Sequence, residues 1–350
     1  IRAMPFTVQE LENIANSALD FYYEKGKVER QADQAKPLLR DMRGKKKTFP
    51  GGKEFITGAV SGETTTTIMG YSHDDTVAYQ NPANTKRFQY PWKELHTGIS
   101  LTLTELKNDG ISITDTATGK GESRHSDREL TVLANILDEK IADMDEGRDR
   151  GLNLMLWRDG SASSKHFPGI KSFILDNPAS AVTVGGIDQS TNTWWRNRAS
   201  LTLSVTTPSD LVITNKLQAE MRQLRRYGNP KHKAYAGSAF LEAYEKELRS
   251  KGNFTMTGWD KGGKIDGSMV DVAFKGVTFE YDPTLDDESL SKYLYILDMD
   301  AIDWMYMEGE DTKRHNPARP ADQYVMYRAI TDTCGLVCKR RNTSGVYSIA

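Results

Sequence analysis

The spacing Gly258-Trp259-Asp260-Lys261-Gly262-Gly263-Lys264 is that of a phosphate-cradling loop, G-x-x-x-x-G-K. In such a loop backbone N–H groups hold the phosphates and the lysine reaches the outer ones. The next residue should offer a hydroxyl to magnesium, and here it is Ile265. Gly267–Phe274 reads as loop and strand, so no helix N-terminus would face the phosphates. The segment is therefore expected to be a surface loop. Carboxylates cluster at Asp74/Asp75, Asp286/Asp287/Glu288 and Glu308/Glu310/Asp311. Acid–base work needs a walled cleft that drives two pKa values apart, whereas these acids sit in polar, turn-like sequence. Asp298-x-Asp300-x-x-Asp303 lacks the turn glycine of a calcium loop. The six histidines show no converging metal-ligand spacing. Cys334 and Cys338 lie on a strand-like run, where four residue steps separate the Cα atoms by about 13 Å. That is too far for a disulfide, and two buried thiols are expected. Neither a catalytic centre, nor a metal, nor a cofactor is indicated; the expectation is that the chain is not an enzyme.

Two further groups suit recognition better than catalysis. Arg222, Arg225, Arg226, Lys231, His232 and Lys233 form a basic cluster along a helix and its exit turn. They fit a solvated face favoured by the helix dipole, or charge complementarity with a neighbouring subunit. Nucleic acid comes third, because no aromatic residues interleave with the cluster. The second group is Gly185-Gly186-Ile187-Asp188-Gln189-Ser190-Thr191-Asn192-Thr193-Trp194-Trp195-Arg196-Asn197-Arg198. It joins a glycine turn, small polar residues, two tryptophans and a basic patch. The tryptophans read as core and interface anchors.

The elements that must position these groups are legible in part. Leu11, Ile14, Ala15, Ala18, Leu19 and Tyr22 give Val8–Tyr23 a helical stripe, while residues 24–47 read as a polar arm. Segments around Phe55-Ile56, Glu63–Ile68, Arg87–Lys93 and Gly98–Thr104 favour strand. Between them 70–85 reads as a polar projecting tip, since two strands alone are marginal in water. Ser126 with Glu129 makes a capping box, and Leu130, Leu133, Leu137, Ile141 and Met144 continue one stripe. The resulting helix, Ser126–Trp157, would run about 45–50 Å. Residues 165–280 read as α/β: a strand at Ser209–Asn215, helices at Lys216–Tyr227 and Ser238–Lys251, and a strand at Asp271–Tyr281. Beyond them come Tyr293–Leu297, Ile302–Met307, Tyr324–Thr331, Gly335–Lys339 and Val346–Ile349.

The totals set limits. A chain of 350 residues can hold two packed units. A net charge of −2 lacks the basic excess of a dedicated nucleic-acid binder. No apolar run has membrane-spanning length and no signal peptide is evident. The first residue is Ile1 rather than Met, so a leader has been removed or earlier residues lie outside this sequence.

The GGID…WWRN segment resembles one found in tailed-bacteriophage major capsid proteins. So does Thr333-Cys334-Gly335-Leu336-Val337-Cys338-Lys339-Arg340-Arg341-Asn342-Thr343-Ser344-Gly345-Val346, in the expected order. The resemblance implies an α+β Hong Kong phage-type capsid fold. Residues 1–52 would be an N-terminal arm, 53–111 an extended E-loop lying over the next subunit, and 112–164 peripheral domain with the spine helix. Residues 165–275 would be the axial domain and 276–350 return strands of the peripheral domain. It implies a structural protein of the virion, assembled in the host cytoplasm as hexamers and pentamers into an icosahedral shell around double-stranded DNA, held non-specifically. Portal and scaffold proteins would be partners, with room for a cement protein and no membrane. The subunit interface would draw on Leu11, Ile14, Leu19, Tyr22, Thr66, Ile68, Phe88, Trp92, Trp194, Trp195, Arg222, Arg225 and Arg226. Some relatives lock the shell by Lys–Asn isopeptide bonds; Lys86 and Lys93 sit in the expected E-loop and Asn316 and Asn342 in the peripheral region, but nothing shows a catalytic Glu aligned with them, so a non-covalent shell is expected. The alternatives are a nanocompartment shell protein of the same fold and a nucleotide-handling enzyme using Gly258–Lys264.

Overall fold

The computed structural model describes residues 6–7, 34–63, 66–82, 84–108, 113–114, 127–228, 230–250, 273–315 and 325–350. The principal elements, in chain order, begin with α1 (Pro37–Arg43), β1 (Lys46–Phe49), β2 (Phe55–Ser61), β3 (Thr85–Pro91), β4 (Lys93–Thr102) and α2 (Asp127–Trp157). There follow β5 (Arg198–Leu203), α3 (Val212–Leu224), β6 (His232–Ala236), α4 (Ser238–Ser250), β7 (Ala273–Phe274), β8 (Val277–Tyr281) and β9 (Tyr293–Asp298). The last are β10 (Ile302–Met307), β11 (Lys313–His315), β12 (Val325–Cys338) and β13 (Gly345–Ile349). The chain divides into two compact units. One comprises Ile1–Gln34, Glu94–Leu152 and Glu308–Thr333; the other comprises Ala35–Lys93, Asn153–Met307 and Cys334–Ala350.

The larger unit is built on a six-stranded sheet in the order β7-β8-β6-β9-β13-β5. β6 runs parallel to β8 and antiparallel to β9, and β13 runs parallel to β5. Alternate residues point one way, as strand geometry requires. Ala234, Ala236, Val277, Phe279, Leu294, Ile296, Tyr347 and Ile349 form one core with Ile213, Leu217, Met221 and Leu224 of α3 and Phe240 and Tyr244 of α4. The intervening residues serve a second layer. Trp157 at the end of α2 packs on Tyr235 and Tyr295, with centroids at 5.8 and 5.2 Å. Its Nε1 donates to the buried Asp282 at 2.7 Å, and Asp282 also accepts from Thr284 N at 3.0 Å as the cap of the turn Pro283–Asp287. Burial raises the Asp282 pKa.

A second strand group in this unit sets β1 parallel to β10, with Trp304 opposite Lys46. β10 pairs antiparallel with the Cys334–Cys338 end of β12. Neither cysteine forms a disulfide, and both are buried. β2 and β3 form a hairpin in register from Phe55↔Pro91 to Ser61↔Thr85, which leaves residues 62–84 as its connection.

In the smaller unit β4 pairs with β12, and β11 pairs with β12 through Lys313↔Thr331 and His315↔Ala329. Its share of α2 buries Ile141, Met144 and Leu152. Arg148 on the same stretch grips Asp332 with Nε and Nη2, each at 2.8 Å, and Nη2 reaches Thr312 Oγ1 at 3.1 Å.

Several sequence expectations are corrected. The strand at Ser209–Asn215 is a 3-10 turn, Pro208–Asp210, followed by α3. The β-branched run Val212-Ile213 suggested strand, but Ile213, Leu217, Met221 and Leu224 form a helical stripe whose burial overrides propensity. The polar arm ends early: Leu38, Leu39 and Met42 of α1 are at most 1% exposed. Leu39 N donates to Asn153 Oδ1 at 3.2 Å and Tyr235 Oη to Asp41 Oδ2 at 2.6 Å, so α1 belongs to the larger unit's core. The two strands expected at Tyr324–Thr331 and Gly335–Lys339 are one continuous strand, β12, and a Cβ on Gly335 would stand 3.1 Å from Pro91 O. Thr66, Thr67 and Ile68 lie outside any strand. The six-stranded sheet draws from both sides of the boundary expected at 275/276. The helical stripe at Val8–Tyr23, the Ser126/Glu129 capping box and the Gly258–Lys264 loop lie outside the described residues.

Candidate assembly surfaces

The two motifs singled out by sequence meet inside the larger unit. Thr183–Val184 and Ile187–Asp188 form a short hairpin turned by Gly185 and Gly186, at φ +59° and +78°. Both values lie where only glycine is unstrained. A Cβ on Gly185 would also stand 2.6 Å from the Tyr90 ring. Asp188 then ties the polar run, accepting from Ser190 N and Ser190 Oγ at 2.8 Å and Thr191 Oγ1 at 2.9 Å. These bonds to its charged form lower its pKa. Trp195 turns inward, 1% exposed, with Nε1 donating to Val184 O at 3.1 Å.

Arg341, from the C-terminal motif, closes the arrangement. It is fully buried. Its Nε donates to Phe173 O at 2.6 Å, and Nη2 to Gln189 Oε1 and Asn197 Oδ1, each at 3.1 Å. The guanidinium lies 5.9 Å from the Trp195 ring. Burial depresses its pKa, and Nη1 has no hydrogen-bond partner. This constellation offers no nucleophile with a base; it locks two chain segments together. The sequence paired the two motifs by order, and the structure pairs them by hydrogen bonds.

The chain's exposed apolar surface is concentrated elsewhere. Of the eight large hydrophobics exposed among the described residues, Ile68, Met69, Tyr71, Val77 and Tyr79 sit on the β2–β3 connection. Ile68 and Tyr79 are essentially free of contact, at 102% and 96% exposure. They flank a clasp in which Thr67 N donates to Gln80 Oε1 at 3.1 Å and Gln80 Nε2 to Thr67 Oγ1 at 3.4 Å. The tip read as polar therefore presents an apolar row, which small spacing gaps in a Thr- and Asp-rich sequence concealed.

The predicted interface residues fall into three groups. Leu11, Ile14, Leu19 and Tyr22 lie outside the described residues. Phe88 and Trp195 are 5% and 1% exposed, so the chain's own packing covers them and leaves nothing for a second subunit. Phe88 fills the space over Gly58, where a Cβ would meet its ring at 2.2 Å. Thr66, Ile68, Arg222, Arg225 and Arg226 are exposed, and Trp92 and Trp194 are half-buried. Trp92 Nε1 donates to Lys53 O at 2.8 Å, and Arg225 Nη2 to Lys275 O at 2.8 Å. Arg226 lies over the Tyr227 ring at 5.4 Å, and Trp194 lies against Gly62 at the foot of the tip. Tyr227, 49% exposed, was missed; only its position beside the arginines could have pointed to it. Among the described residues there is no cluster able to hold a metal ion, and no helix is long and apolar enough to cross a membrane.

No family model matches the chain, and no curated protein matches it. Solved structures do. The cyanophage A-1(L) capsid protein superposes with a TM-score of 0.62 at 13% identity, over 92% of this chain and 95% of that one. The bacteriophage PhiM1 mature capsid protein gives 0.56 at 9% identity, over 93% and 90%. That of cyanophage P-SCSP1u gives 0.54 at 10% identity, over 93% and 91%. At such identities the likeness is one of fold, and with its mixed helices and sheets the chain has the Hong Kong phage-type fold of bacteriophage capsid proteins.

Proposed function

We propose that the chain is a major capsid protein, a structural subunit that assembles as hexamers and pentamers into an icosahedral head around double-stranded DNA. The observation that carries this reading is the exposed apolar row Ile68–Tyr79 on a subunit of capsid fold. Burying such side chains is worth about 1.5–3 kcal/mol each, and nothing in the described chain covers them. A contact made by this tip on a different patch of the next copy is head-to-tail, the kind that closes rings and shells. Trp92, Trp194, Arg222, Arg225 and Arg226 remain available for it, while Phe88 and Trp195 hold the subunit together. The subunit works by binding rather than by catalysis, within the virion, with portal, scaffold and cement proteins as further partners.

Electron microscopy of the purified chain, alongside sedimentation velocity, tests the reading. Closed shells or ring-shaped capsomers are expected. Removing residues 70–79 should leave a folded subunit that no longer makes stable shells. A compact monomer under every salt condition, with and without scaffold protein, refutes it.

A further inference from the structure

A second surface feature is built from elements far apart in sequence. A cavity of about 540 Å³ is lined by Trp194, Arg196, Arg198, Lys216, Arg226 and Tyr227, with Glu220 at its wall. Four cations face one carboxylate, and that carboxylate is already engaged by Arg198 at 2.8 Å and Lys216 at 3.5 Å. Arg196 is committed to Gln189 O and Ser190 O. Arg226 lies over the Tyr227 ring at 5.4 Å, just past the end of α3, and the exposed Arg222 adds charge from α3 itself. The result is a basic hollow walled by two aromatic rings, both partly open to solvent. Arg over an aromatic face keeps its N–H groups free for an anion while the rings accept a flat apolar group.

The β2–β3 connection has the opposite character. Residues 62–84 contain Glu63, Asp74 and Asp75 and not a single lysine or arginine. Asp75 caps Ser72 N through Oδ2 at 2.8 Å, which fixes the turn carrying both aspartates. Tyr71, 75% exposed, stands immediately before it. An acidic turn with a phenol ring is the complement of a basic hollow with aromatic walls. The chain's own tip stands free in solvent, so the complement must be supplied by another copy.

We propose that the Trp194/Arg226/Tyr227 hollow receives the Tyr71–Asp75 turn of a second copy. Asp74 and Asp75 lie against Arg226, and the Tyr71 ring lies between Trp194 and Tyr227. The proposal rests on the capsid reading and adds to it the receiving site and the residues that set its register. Each exposed ion pair is weak, but repetition around a ring multiplies it.

The test titrates a labelled peptide of residues 69–77 into dilute, unassembled full-length chain, followed by fluorescence anisotropy. Saturable binding is expected, weakened when salt is raised to about 0.5 M. Arg226→Glu should weaken it by about tenfold, roughly 1.4 kcal/mol. A peptide carrying Asp74→Lys and Asp75→Lys should recover binding to that variant, and the same three changes in one chain should recover assembly. Arg226→Ala, milder at an exposed site, should fall between. Absence of peptide binding, or of rescue by charge reversal, overturns the proposal. So does loss of oligothymidylate binding in Arg226→Glu with peptide binding intact, which would mark a nucleic-acid surface. Shells seen by microscopy without peptide binding reject this contact and leave the capsid reading standing. Peptide binding to a chain that never forms shells does the reverse.

Discussion

Replacing Arg341 with methionine should cost the larger unit its tie between the two motif segments. The substitution keeps an unbranched side chain of similar reach and removes every donor. Three acceptors then remain in the interior without their partner: Phe173 O, Gln189 Oε1 and Asn197 Oδ1. A buried polar group left unpaired costs about 1–3 kcal/mol. Asn197 Oδ1 retains Leu175 N at 3.1 Å, which softens its share. In the other direction, the buried guanidinium has no carboxylate beside it and one unpartnered nitrogen, and deleting it relieves a desolvation cost. Setting the three losses against that relief gives a net destabilisation of about 2–4 kcal/mol. With a urea slope of about 2 kcal/mol/M the midpoint falls by about 1–2 M. Urea titration followed by tryptophan emission measures it, since Trp195 lies beside the guanidinium. Pairing Arg341→Met with Gln189→Ala should give a loss smaller than the sum. A midpoint that stays put or rises would show that the burial penalty equals or exceeds the hydrogen bonds, and the lock would not be one.

Two further outcomes follow from buried groups. His232 donates from Nε2 to Thr343 O at 2.9 Å, and desolvation pulls its pKa below the ordinary histidine value. The unfolded chain then binds a proton first as pH falls, so this contribution is complete above about pH 6.5 and is lost as pH drops through the folded pKa. Melting between pH 7.5 and 5.5 should show the fall, and His232→Gln should flatten it; identical slopes would refute the assignment. Burial pushes the Cys338 thiol up to about 12, and Cys334 is equally inaccessible. Neither should react with a thiol reagent at mildly alkaline pH until urea unfolds the chain, when two per chain should label; native labelling would contradict the packing of β12.

The parts of this protein legible in sequence are those whose signal is local. The stripe ending at Met144 announced α2, and the strands read at Tyr293–Leu297, Ile302–Met307 and Val346–Ile349 match β9, β10 and β13 nearly to the residue. The glycine turn and the two tryptophans named a constrained segment. Tertiary structure decided the rest, because its causes lie far away along the chain. Val212-Ile213 became helix because sheet residues up to Ile349 offered a face to bury against. Leu38, Leu39 and Met42 entered the core because Asn153 and Tyr235 were there to satisfy α1. Of two adjacent tryptophans, burial took Trp195 and left Trp194 at the surface, a choice no spacing encodes. Arg341 bonds to partners 144 to 168 residues away, and Trp194 shares a hollow with Tyr227 from another element. Local periodicity fixes which residues turn inward on their own element; which of them meet is set by the packing of elements against one another.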